Sequence, residues 1–154
     1  MPKRSAGILM WKRDGGLRLL LVHPGGPYWI NKDAGAWSIP KGEYEEGEDA
    51  LAAARREFAE ELGEEPRGEA TPLGEIRQKA GKRVTGFALQ GDFDAAAVSS
   101  NTVEIEWPPR SGRKARFPEV DRAQWFTVEE ARAKINPAQQ ELIARLIHAV
   151  GEIG

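Results

Sequence analysis

Apolar positions along the chain fall into short runs separated by turn-forming clusters. "SAGILMW" (5–11) and "LRLLLVH" (17–23) are strand-compatible, and "KRDGG" between them is a turn signal, so the pair predicts a β-hairpin. The stretch "PGGPYWINKDAGAWSIPKGEYEEGE" (24–48) is dense in Gly and Pro and reads as mostly loop. A loop of that length in a small domain is functional or disordered, and Tyr28, Trp29 and Trp37 argue for order. "EDALAAARREFAEEL" (48–62) is the clearest helix: Ala and Leu favour it, Glu48 and Asp49 suit its positive end, and Gly63 sits at the expected stop. "TPLGEIRQKAG" and "RVTGFALQGDF" read as two strands around Gly81. The segment 104–126 reads as a short strand, a polar loop, and a strand ending near Trp125. Thr127 followed by Glu130 forms a capping box ahead of "ARAKI", and Leu142, Ile143, Leu146, Ile147 and Val150 mark a last amphipathic helix. Strands around a central helix, followed by C-terminal helices, predict an α/β fold with a mixed β-sheet flanked by helices on both faces.

Composition narrows the function. The 154 residues fit one domain, expected to span 1–154. Twenty-two Lys and Arg against 24 Asp and Glu leave a net charge of −2, which gives no global pull toward nucleic acid or an anionic membrane. No cysteine is present, which excludes disulfides, thiolate metal sites and cysteine nucleophiles. The basic start "MPKR" leads into an apolar run cut short by Lys12 and Arg13, too short for a signal peptide, and no segment approaches the roughly 20 apolar residues of a membrane span. A soluble, cytoplasmic protein is the expectation.

The helix carries the candidate chemistry. At about 100° per residue, Leu51, Ala54, Phe58 and Leu62 share one stripe, expected to face the core. Glu57, Glu60 and Glu61 fill an arc beside that stripe, not opposite it. A Glu-rich helix is ordinarily a solvated face, where like charges cost only about 0.2–0.5 kcal/mol per pair. Beside a wall or cleft the cost rises: at an effective dielectric near 20, two charges about 6 Å apart repel by about 3 kcal/mol. Such an arc calls for a cation, and oxygen-only ligands select a hard one, Mg²⁺ or Mn²⁺. Just upstream, "WSIPKG" supplies Lys41, a mobile point charge suited to phosphate, and Gly42, a backbone position with few steric limits. A glycine-containing loop leading into an acidic helix can hold a metal-chelated polyphosphate.

"GEYEEGEDALAAARREFAEELG" resembles the Nudix box of the Nudix hydrolases, with Gly42, Glu48, Arg56, Glu57, Phe58, Glu60, Glu61 and Gly63 all in place. Only the last position departs, with Glu64 where the pattern has an aliphatic residue. The resemblance implies an α/β/α sandwich and Mg²⁺-dependent hydrolysis of a nucleoside diphosphate linked to another moiety, with Mn²⁺ as a substitute ion. It implies that Glu57, Glu60 and Glu61 are metal ligands, that Arg56 orients a carboxylate, and that Glu48 is structural. An acid from outside the box is often recruited. Glu119 stands at a similar spacing before Trp125, with Glu104, Glu106 and Asp121 as competitors. Glu57, Glu60 and Glu119 are the candidate general bases.

For the substrate, "WSIPKG" resembles the form in family members acting on long phosphate chains, including dinucleoside polyphosphates, so Lys41 would meet a distal phosphate. Gln139 resembles in position a purine-contacting amide of members that cleanse oxidised nucleotides. Trp37 or Trp29 is a candidate for stacking on a base. The loop residues Arg110, Arg113, Lys114 and Arg116 could gather an anionic substrate or stay solvated. The expected partner is thus a nucleoside triphosphate or dinucleoside polyphosphate. A non-cleaving nucleotide sensor is disfavoured by the complete acidic set, and processing of RNA 5′ ends by the near-neutral charge. His23 and His148 have no Ser or Asp partner at a recognisable spacing, so no hydrolase triad is expected.

Overall fold

The computed structural model describes residues 3–151. The chain runs β1 (Arg4–Arg13), β2 (Leu17–Pro24), β3 (Lys41–Glu43), α1 (Ala50–Leu62), β4 (Ala70–Arg77), β5 (Arg83–Gln90), β6 (Thr102–Glu106), β7 (Lys114–Pro118), β8 (Val120–Thr127), α2 (Val128–Lys134) and α3 (Gln140–Val150). The main sheet has the order β4-β5-β1-β2-β8, with β3 added to β1. It is mixed: β1 runs parallel to β5, and the β1–β2, β1–β3, β2–β8 and β4–β5 pairings are antiparallel. β6 and β7 form a separate two-stranded ribbon.

Both faces of the central strands are buried, which explains why "GILM" and "LLLV" are almost continuously apolar. Leu9, Leu19 and Leu21 face one core with Phe126 and the residues Ala131, Leu142, Ile143 and Leu146 of α2 and α3. Ile8, Met10, Leu20 and Val22 face the other, against Ala53, Ala54, Phe58 and Leu62 of α1. The result is the three-layer α/β/α arrangement.

Helix ends follow from local chemistry. The Asp49 carboxylate accepts from Ala52 N–H and caps α1, which ends at Gly63 in the left-handed region with φ 86°. Thr127 and Glu130 form the predicted reciprocal capping box of α2.

Three local expectations change. The 24–48 loop contains β3, because its Lys41–Glu43 backbone pairs with Ser5–Gly7 of β1. The polar "loop" of 104–126 contains a strand, since Lys114–Pro118 pairs with Thr102–Glu106. Its alternating basic residues lie along a ribbon edge, where Lys114 and Arg116 pair with Glu104. On α1, Ala53 joins the fully buried stripe, and Leu51 sits at its margin. The loop at 25–40 is ordered by a buried histidine and a buried tryptophan. His23 bridges the Lys32 carbonyl at 2.6 Å and Asp121 at 2.8 Å, and Trp37 Nε1 donates to Asp33 at 2.8 Å. No helix among the described residues is long and apolar enough to cross a membrane.

Candidate active site

Pairing of β3 with β1 brings Lys41 and Gly42 alongside α1. A Cβ built on Gly42 would lie 1.8 Å from Glu57 Oε1 and 2.1 Å from its Cδ, so the Glu57 carboxyl occupies the space that only glycine leaves. Gly42→Ala should therefore displace Glu57, not unfold the chain, because the obstructed atoms are the far end of a flexible side chain. Steady-state assays should show activity down at least about tenfold with the melting temperature shifted by only a few degrees.

Glu61 lies one turn on from Glu57 and is 5% exposed. Burial, then the neighbouring Glu119 and Glu57 charges, push its carboxyl up to about 9, against a smaller pull down from Lys41. Glu57 is raised by burial first and then by Glu60, while Arg56 pulls it down. Burial lowers the pKa of Lys41, and Glu61 is the largest influence raising it.

Glu119 reaches this cluster through a backbone relay. Carbonyls in the last turn of α1, at Glu60 and Leu62, accept from Asn101 and Ser99 N–H at 2.9 and 3.1 Å. Asn101 carbonyl then accepts from Glu119 N–H at 2.9 Å. The exposed end of the helix is thereby satisfied by the segment that delivers Glu119. The other external acids are engaged elsewhere. Glu104 pairs within the β6–β7 ribbon, Glu106 accepts turn N–H groups of Arg110 and Gly112, and Asp121 meets His23 and Arg122.

Arg56 gathers the flank of the helix. Its guanidinium lies 2.8 Å from Glu48, 3.3 Å from Glu57 and 3.9 Å from Glu60. Glu48 is thus a tether for Arg56. Glu60 is the most exposed box carboxylate and borders the outer depression lined by Ala52, Arg55, Arg56 and Ala59. It does not line the cavity that Glu61 and Glu119 share.

That cavity, of about 240 Å³, is lined by Lys41, Glu61 and Glu119 together with Ser38, Trp29, Gln78, Asn136 and Gln139. Trp29 is 38% exposed and lines it. Trp37, the other tryptophan considered for base stacking, is a correction. It is 1% exposed, packed edge-on to His23 and Phe126, and cannot present a ring face to a ligand. Gln139 is also placed differently from the sequence expectation, because it is not a free base-contacting amide. It is fully buried, its Oε1 accepts from Ile39 N–H at 3.0 Å, and its Nε2 donates to Ser38 Oγ at 3.0 Å and Gln78 Oε1 at 3.1 Å. Gln78 and Asn136 were not singled out from sequence, because nothing in "IRQKAG" or "KINPAQ" marks them. Only the folded approach of the β4–β5 turn to the start of α3 brings them together.

The fit to a hard cation is one of chemistry. No three acidic or histidine side chains among the described residues are already drawn around one point. Burial together with Glu119 and Glu57 nonetheless raises the proton affinity of Glu61, and burial together with Glu60 and Glu119 raises that of Glu57, with Lys41 opposing this at Glu61 and Arg56 at Glu57. Carboxylates crowded and desolvated in this way are the oxygen donors a divalent ion suits.

A family model for the NUDIX domain matches residues 1–146, and the chain belongs to the Nudix family. With its box carboxylates complete, it is a Nudix-type hydrolase. Among solved structures it is similar to an Ap4A hydrolase of C. elegans in a binary complex, with 20% identity, TM-score 0.65, and coverage of 95% of this chain and 97% of that one. It is also similar to the NUDIX domain of Shewanella oneidensis NrtR complexed with ADP ribose, with 14% identity, TM-score 0.68, and coverage of 97% and 89%. A NUDIX hydrolase from Nitrosomonas europaea matches with 24% identity, TM-score 0.59, and coverage of 99% and 92%. No curated protein sequence matches the chain.

Proposed function

We propose that this chain hydrolyses a pyrophosphate bond in a nucleoside triphosphate or dinucleoside polyphosphate, with Mg²⁺ as the working ion and Mn²⁺ as a substitute. The observation that carries the reading is a single cavity lined both by Glu61, Glu119 and Lys41 and by amides and an indole. Polyphosphate and nucleoside have opposite needs, and the two sets of side chains answer them.

Glu57, Glu60, Glu61 and Glu119 are the side chains that would hold the ion. When bound, Mg²⁺ neutralises the phosphate chain and makes a bound water a better nucleophile. Lys41, which lines the same cavity, takes a phosphate oxygen. Arg56, anchored by Glu48, fixes the Glu57 carboxylate against Gly42. The proton of the attacking water passes to a carboxylate, with Glu57, Glu60 and Glu119 the candidates.

A panel of nucleoside triphosphates, dinucleoside polyphosphates and nucleotide sugars, incubated with Mg²⁺ and analysed for products, tests this reading. Turnover of at least one member is expected; a folded protein that cleaves none would refute it. Glu60→Gln keeps volume and removes a charge from an exposed side chain, so its circular dichroism should match wild type while kcat falls at least about 30-fold. Near-normal kcat would remove Glu60 from the ion's ligands.

A further inference from the structure

Two amide side chains that line the cavity have their orientation dictated by backbone N–H groups. Ile39 N–H donates to Gln139 Oε1, so the Gln139 Nε2 must face the opposite way, toward Ser38 Oγ and Gln78 Oε1. Gln78 can accept that bond only through its oxygen, so its own Nε2 is the atom left over. Separately, Ala138 N–H donates to Asn136 Oδ1 at 2.9 Å, which fixes Asn136 Nδ2 as the atom left over there. Neither Gln78 Nε2 nor Asn136 Nδ2 donates to an acceptor among the described residues. Both residues are half-buried and line both the catalytic cavity and the adjoining groove of about 360 Å³ that holds Lys79 and Lys82.

Gln78 and Asn136, both lining the cavity, thus each carry a side-chain N–H group that nothing in the chain accepts among the described residues. The Ser38 hydroxyl donates to the Ile39 carbonyl at 2.7 Å and accepts from Gln139 Nε2. Asp33 borders neither space, being held by Lys134 and Trp37.

Resting on the nucleotide reading above, we infer that Gln78 and Asn136 act together as a fixed donor pair that selects the base of the substrate. They favour a 6-oxopurine, which offers adjacent O6 and N7 acceptors, over adenine, whose N6 amino group meets them donor to donor. A site built to donate loses heavily when the ligand presents a donor, because the amide is left desolvated and unpaired. Gln78 and Asn136 are specificity residues and take no part in the bond-breaking step.

The test compares kcat/KM for GTP, ITP and ATP in the wild type, Gln78→Glu and Asn136→Asp. Each variant keeps the oxygen that its neighbour requires, accepting from Gln139 or from Ala138 N–H, and turns the free donor into a charged acceptor. The wild type should favour GTP and ITP alike over ATP by about tenfold or more. Each variant should cut that ratio at least about fivefold, toward adenine. Equal use of GTP and ATP by the wild type, or a preference that survives both substitutions, would overturn the inference. Calorimetric binding of GMP, IMP and AMP, which have no anhydride to cleave, separates this result from failure of the hydrolase reading. Preference for GMP and IMP without turnover of any member of the substrate panel would sustain base selection and sink hydrolysis. AMP bound as tightly as GMP would sink base selection whatever the turnover.

Discussion

Glu57→Gln should lower kcat by at least about 100-fold while leaving the fold intact. The amide is isosteric and still fits beside Gly42, so no backbone needs to move. What is lost is a negative charge that Arg56 holds in place and that sits within the field of Glu60 and Glu119. Removing one of several carboxylates weakens the ion's hold and leaves the phosphate charge less neutralised in the transition state. Circular dichroism and thermal melting check the fold, and steady-state kinetics over a range of Mg²⁺ check the cause. Excess Mg²⁺ should restore part of the lost rate if the defect lies in binding the ion.

Glu61→Gln should do two opposite things: abolish turnover and stabilise the metal-free protein. Glu61 titrates near 9 in the folded chain against an ordinary 4.5. Between those values the folded state keeps a proton that the unfolded state has released. Stability therefore falls as pH rises through that window, by about 1.4 kcal/mol per pH unit for one group, and the penalty is constant above it. Below the ordinary value both states are protonated and the effect vanishes. The Gln variant lacks the ionisable group, so its metal-free melting temperature should exceed that of wild type near pH 8, by an amount worth a few kcal/mol, and should lose the slope. Denaturant melts from pH 4 to pH 9 in a chelator read this directly. Saturating Mn²⁺ should raise the wild-type melting temperature more than that of the variant. A trade of stability for function at one buried carboxyl is what a binding site for a cation looks like when judged without its ligand.

Period and punctuation exposed most of the fold. Short apolar runs such as "LRLLLV" bounded by turn signals, and the apolar stripe of 50–62, located the central strands and α1, and Asp49, Gly63, Thr127 and Glu130 fixed helix ends through local hydrogen bonds. β3 was hidden because three residues, Lys41–Glu43, are too few to show a period and one is glycine. β7 was hidden because its alternation is only five residues long, with Ala115 and Phe117 half-buried between exposed Lys114, Arg116 and Pro118, and its basic residues imitate a loop. Within the site, the helical carboxylates were readable because their spacing is fixed by one element. Glu119 was one of four acids until the Asn101 relay distinguished it, and that relay is made of backbone groups with no sequence signature. Trp37 and Trp29 look alike in sequence; only the buried His23 and Phe126 rings show which of the two is core.

The claim on which the rest depends is that α1 and Glu119 together gather a divalent ion. Titration of chelator-treated protein with Mn²⁺, read by electron paramagnetic resonance, measures this without any assumption about substrate. The wild type should bind Mn²⁺ saturably, with Glu57→Gln and Glu119→Gln each at least about tenfold weaker. Binding unchanged in both variants, or no binding by the wild type even with a non-hydrolysable triphosphate present, would contradict the account.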